Sequence, residues 1–433
     1  MKPKVLKAIV CAVCFASGLG SQNPADTVPA LTAEAIKAYR SKDYIRFLQY
    51  ERRALRLDPS NPRLQYNVAC GQALQKNAGE AVRLLNQLLA RKLDLGAETD
   101  EDFSSIRATP EWQEFKSKLA DLRKPVVHSE VAFRLDDPAL MSAGIAVDAA
   151  TGDTYIASVR QRKIIRRTKT GQVSDFIAAA RDGFLAGASL AIDSRRRLLY
   201  ASTAAAPFMA GYRAEDAGKA GVFAFSLDSG KLMRRALLRV DGKQHFLNAL
   251  AVDRLGNVYV SDSGTSGIYR LRPESQELEA LTTPDMFQST QGLALSDDEK
   301  TLFVADYSNG LWALDMASRT TRRIEGPADA WLGGLDGLTR TPDGFVGVQI
   351  GVEPERVLKL RLDQRWQRVT SVEVLEMNHP DYAGPVQGVI SDGAFLYVAN
   401  SQLALGNGET GAFEADRAKP TVVLRLPLQE VVR

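Results

Sequence analysis

The chain has 433 residues, of which 45% are hydrophobic and 25% charged, an ordinary globular composition with room for more than one domain. Its 55 Lys and Arg against 52 Asp and Glu leave a formal charge of +3 with no basic run, which excludes the electrostatic footprint of a nucleic-acid binder. Beyond the N-terminus no segment carries the ~20 apolar residues that a membrane-spanning helix needs. At the N-terminus, Lys2, Lys4 and Lys7 precede the apolar run Ala8–Ala16, and the small residues Ser17, Gly18, Gly20 and Ser21 follow. That order is the one found in a secretory signal peptide, so residues 1–21 are expected to be removed and the protein to be exported, periplasmic or secreted. Cleavage takes Cys11 and Cys14 with it and leaves Cys70, which allows no intramolecular disulfide. Residues 22–30 read as a linker.

Residues 31–124 carry a helical repeat. Ala35, Phe47, Ala54 and Pro59 return one period later as Ala69, Ala81, Leu88 and Leu93. The run Asp58-Pro59-Ser60-Asn61-Pro62 ends one helix and starts the next, because proline is tolerated only in a helix's first turn. Thr109-Pro110-Glu111 has the form of a further helix start. The period and the stretch ALRLDPSNPRLQYNVACGQALQKNAGEAVRLL resemble the tetratricopeptide family, whose repeat is ~34 residues long. The resemblance implies a surface for a protein or peptide partner. Cys70 falls where a helix–helix contact is expected, with no basic neighbour to favour a thiolate.

From residue 125 to 433 the pattern changes to short alternating strands. An apolar run, an Asp, a tight turn and a second apolar run recur six times, as in LNALAVDRLGNVYVSD and TQGLALSDDEKTLFVAD. Self-similarity of this kind predicts an all-β six-bladed propeller. The fold class is therefore multidomain, a short all-α helical repeat followed by a propeller. Val126–Leu135 is expected to pair with Thr421–Leu426 and close the ring. Two insertions, Ala204–Ala220 and Leu403–Pro420, both follow a second strand and so fall on one face of the ring.

Within the repeat, Asp148, Asp193, Asp253 and Asp343 recur at a turn and Asp262 and Asp306 after the second strand. Recurrence at equivalent places points to structure, Asp bonding nearby backbone amides. The positions that differ between blades carry chemistry instead: Ala143, Ala188, Asn248, Gln291, Asp336 and Gln387 stand just before the common small residue of each inner strand. Four consecutive blades thus aim an amide or a carboxylate at the channel mouth, a hard-oxygen set suited to Ca²⁺ or Mg²⁺. His245, shortly before Asn248, is a candidate proton carrier.

His245-Phe246-Leu247-Asn248, Asp336-Gly337-Leu338 and the run Tyr397–Gln402 make the propeller, over about residues 126–430, resemble the senescence marker protein/gluconolactonase-like superfamily, which includes paraoxonase-type lactonases. The resemblance implies a Ca²⁺ at the channel that polarises a lactone or ester carbonyl. It assigns the metal to Asp336, Asn248 and Gln291; catalysis would then fall on Asp336, with His245 as the proton carrier that its residue type suggests. Ligand contacts fall to Asn248, Gln291, Gln387 and Ser142. The family's first-blade Glu falls at Ser142, and its Asp after the Asn is Ala249, so Asp336 is the ring's one obvious carboxylate. The leading expectation is accordingly a module that binds a small molecule, with a degenerate metal site. A divalent-metal-dependent lactone or ester hydrolase is the alternative, and a structural scaffold the second.

Overall fold

The computed structural model describes residues 27–428 apart from residue 284, so the expected signal peptide lies outside the described residues. The chain divides into two compact units at Leu119 and Ala120, slightly before the boundary read from the sequence. The division falls within a helix rather than after it.

The first unit consists of α1 (Val28–Arg40), α2 (Tyr44–Leu57), α3 (Pro62–Leu74), α4 (Ala78–Ala90) and α5 (Pro110–Leu122). The first helix begins inside the stretch read as a linker, because the Thr27 side chain caps the Ala30 N–H and proline is tolerated in the first turn. Asp43, Asn61 and Asn77 cap the next three helices in the same way. The step from Val28 to Pro62 equals that from Tyr44 to Ala78, so two helical hairpins follow the sequence period. The repeated small residues are the contact points: Ala35, Ala54, Ala69 and Ala81 are all fully buried. A Cβ placed on Gly71 would lie 3.0 Å from the Leu48 side chain, so α2 and α3 approach closely there.

The second unit is a propeller of six four-stranded antiparallel sheets among the described residues. The inner strands are Ser142–Val147, Ala186–Asp193, Leu247–Val252, Thr290–Leu295, Leu335–Thr341 and Val389–Ser391, one for each copy of the sequence phrase. In the sixth sheet Glu130–Leu135 pairs with Thr421–Pro427, Glu130 opposite Arg425. The ring is closed as the sequence predicts, with Thr421–Pro427 held between the outer strand Glu130–Leu135 and the strand Ala394–Val398. Just before the closing strand, fully buried Glu376 accepts the backbone N–H groups of His128 and Ser129 and the hydroxyl groups of Ser129 and Tyr397.

Around the axis the inner strands nearly touch. A Cβ on Gly144 would lie 2.7 Å from Ser189 Cα, and one on Gly337 would lie 2.6 Å from Gln387 Cα. The small residue common to the copies is therefore a requirement of packing at the axis. The recurrent aspartates serve the turns: Asp193 accepts the Arg195 and Arg196 N–H groups, and Asp306 those of Gln288, Ser308 and Asn309.

Candidate functional site

Five of the inner strands carry a β-bulge at the same place. Pairing with the second strand slips at Ala143, Ala188, Asn248–Ala249, Gln291–Gly292 and Asp336. A bulge inserts a residue and re-aims its side chain, which puts the repeat-breaking residues at the mouth of the axial channel. In the sixth blade Gln387 reaches the equivalent point by preceding its strand. Two serines on second strands fix this geometry. Ser202 Oγ accepts the Ser189 N–H at 3.0 Å and donates to Asn248 O at 2.6 Å. Ser261 Oγ accepts the Ala249 N–H at 3.0 Å and donates to Gln291 O at 2.7 Å. Each bulge is thereby tied to the main chain of the next blade's ring residue.

Asn248 Nδ2 donates to Gln291 Oε1, joining blades three and four. Asp336 is half-buried, and desolvation pushes its carboxyl up to about 6 against the opposing effect of the Gln387 N–H. The other two expected site residues are placed elsewhere. Ser142 is fully buried with its Oγ 3.1 Å from Thr421 Oγ1, between the first and last blades. His245 is held by two carboxylates, Asp262 at 2.5 Å through Nδ1 and Asp241 at 3.0 Å through Nε2. Both ring nitrogens are engaged within that loop cluster.

One residue of the mouth escaped the sequence reading. Glu355, in the loop after the second strand of blade five, accepts the Gly384 N–H at 3.3 Å. Burial and the nearby charge of Glu353 push its carboxyl up to about 7. Asp336 and Glu355 therefore both lean on the segment 384–387 that leads into blade six. The only sequence signal was a Glu-rich loop, Glu353-Pro354-Glu355, that no other blade repeats.

The two insertions converge as expected for loops on one face. Phe208 and Tyr212 of one, and Leu403 and Phe413 of the other, pack with Met141, Leu185 and Met209 in a cluster that also touches Ala143. Arg160 lies over the Phe413 ring at 4.6 Å. Asn400 and Gln402 use their amides to pin the base of the second insertion, on Pro420 O, Val422 N, Lys419 O and Lys419 N. The mouth consequently has an apolar side at blades one and two and a polar side at blades three to six. Below it a channel of about 290 Å³ runs along the axis, lined by Ile145, Leu293, Leu338 and Thr339. Of the four polar ring residues only Gln387 borders it; Arg340 borders it too, stacked 3.7 Å over Trp366 and paired with Asp297 at 2.7 Å.

As a cation site this ring fits poorly. Its four polar residues offer one carboxylate, Asp336, toward a divalent charge, the Gln291 oxygen already accepts a hydrogen bond, and the nearby Glu355 is turned to the Gly384 N–H. Ser142 Oγ faces a neighbouring strand.

No known family profile matches the chain, and no curated protein does. Among solved structures, luciferin-regenerating enzyme is 12% identical, over 71% of this chain and 100% of that one, with a TM-score of 0.49. A gluconolactonase from Xanthomonas campestris is 17% identical, over 71% and 93% of the two chains, with a TM-score of 0.46. Virginiamycin B lyase from Staphylococcus aureus is 12% identical, over 68% and 98%, with a TM-score of 0.43. Each is a likeness of fold.

Proposed function

We propose that the propeller is a binding module for a small amphipathic molecule at the channel mouth and that its metal site is degenerate. The division of the mouth carries this reading. A ligand's apolar part would lie against Ala143 and the Phe208–Phe413 cluster, and its polar end would meet Gln387, Asp336 and the Asn248–Gln291 pair. Such a site, mostly apolar with a few placed polar groups, is what small-molecule pockets share. Because the donor set is short of charge, no catalytic step is routed through Ca²⁺. The order of residues at 1–21 supports action outside the cytoplasm. The two helical hairpins, with Ile36 and Ile45 exposed, support a peptide-recruiting role of the tetratricopeptide kind for the first unit.

The test is calorimetric titration of Ca²⁺ into the chain and into Asp336→Ala, followed by a panel of lactones and esters assayed with and without chelator. The expected result is no saturable Ca²⁺ binding and no chelator-sensitive turnover. Turnover that chelator removes and Asp336→Ala abolishes would overturn the reading in favour of a metal-dependent hydrolase.

A further inference from the structure

Asn-Gly occurs at two places in the chain, Asn309-Gly310 and Asn407-Gly408, and the fold treats them oppositely. At such a step the glycine nitrogen can close on the asparagine's own amide carbon, because glycine brings no Cβ to hinder the approach. The local backbone decides whether it does.

Asn407 and Gly408 are exposed in the second insertion, on a turn built around the asparagine side chain. Asn407 Oδ1 accepts the N–H groups of Glu409 and Thr410, each at 2.9 Å. The Asn407 main chain is fixed as well, its N–H donating to Ala412 O at 2.8 Å and its carbonyl accepting the Gly411 N–H at 2.9 Å. To reach residues 409 and 410 the side chain folds forward over Gly408, which carries Cγ toward the Gly408 nitrogen. Among the described residues neither that nitrogen nor Asn407 Nδ2 donates a hydrogen bond, and a Cβ on Gly408 would meet nothing within 4 Å. Asn309-Gly310 is held differently. Gly310 is buried, opens the strand Gly310–Asp315 opposite Asp306, and a Cβ there would lie 3.5 Å from Leu332. The Asn309 N–H is taken by Asp306, and no N–H donates to Asn309 Oδ1 among the described residues.

We propose that Asn407 is a self-modification site, whose amide converts without an enzyme to a carboxylate through a cyclic imide with Gly408. The Gly408 nitrogen bonds to Asn407 Cγ, the Cγ–Nδ2 bond breaks, and ammonia leaves with the Gly408 N–H proton. The Glu409 and Thr410 N–H groups stand where negative charge develops on Oδ1, as preorganised donors do. Water then opens the imide at either carbonyl, giving Asp or an isoaspartyl link. The isoaspartyl link runs the main chain through Cγ and detaches from it the carbonyl that accepts the Gly411 N–H. The turn is seated on the first insertion: a Cβ on Gly406 would lie 2.6 Å from the Phe208 ring, and one on Gly411 2.9 Å from Pro207 O. Conversion therefore loosens the apolar side of the mouth with time, whatever the mouth binds.

The test incubates the folded full-length chain at mildly alkaline pH and follows both steps by peptide mass mapping, with isoaspartyl methylation as a second readout. The same chain in guanidinium chloride and Gly408→Ala run beside it. In the folded chain Asn407 should convert at least about tenfold faster than Asn309, and no slower than it does in denaturant. Denaturant should bring the two steps together by raising Asn309. Gly408→Ala should slow Asn407 about tenfold and leave Asn309 unchanged. Should that variant misfold, a faster Asn309 reports it, and the comparison within the unmodified chain decides. Equal rates at the two steps in the folded chain, or an Asn407 that converts faster in denaturant than in the fold, would each overturn the proposal.

Discussion

Asp336 shows how a single side chain ties the mouth's chemistry to its stability. Its folded carboxyl sits near 6, against an ordinary ~4, so the folded protein holds that proton more tightly than the unfolded chain does. The stabilisation is complete below about pH 4 and is lost as pH rises through about 6, where the buried group must ionise. Asp336→Asn removes this penalty. It is expected to be more stable than the unmodified chain by up to about 2–3 kcal/mol near pH 8, with the gap closing toward pH 4. Urea midpoints at the two pH values check this, and an equal difference at both would mean that the carboxyl is not desolvated. Glu51 and Glu355 are raised in the same direction, each to about 7, so the comparison between variants isolates Asp336.

The strand is the scale at which the ring is aimed. Asn248, Gln291, Asp336 and Gln387 were legible in the sequence because they interrupt an otherwise repeated phrase. The bulges that turn them to the axis were not, since a bulge exists only relative to the partner strand's register. The roles of Ser202 and Ser261 were hidden for the same reason: each is an ordinary strand residue until the next blade's carbonyl is beside it. Ser142 marks the converse. Alignment with a family's first-blade carboxylate put it at the channel, while its register puts it on Thr421. Glu355 comes from a single-copy loop, where no periodicity signals proximity. If Ser261 holds its bulge, Ser261→Ala leaves the buried Ala249 N–H unsatisfied and costs about 1–3 kcal/mol. A thermal-melt change within the ±0.5 kcal/mol usual for an exposed site would show that the bulge stands without it.

At the scale of the whole propeller, the architecture was legible almost entirely, because six copies of one pattern can be buried only by stacking around an axis. Closure depends on one sheet whose strands Glu130–Leu135 and Thr421–Pro427 lie at opposite ends of the propeller sequence. A variant truncated before Thr421 leaves Glu130–Leu135 and Ala394–Val398 without the strand between them, and two open edges invite pairing with other chains. Size-exclusion chromatography is expected to find it aggregated, while truncation after Leu428 leaves a monodisperse protein; a monodisperse product from both would show that the sixth sheet is dispensable. The same clasp sets an order in time. On the ribosome the outer strand of the sixth blade is made before the other five sheets, and its partner only after them. A nascent propeller is therefore an unlocked ring from Glu130 until Thr421–Pro427 has been made, and its outer strand lacks its one pairing partner for all of that interval.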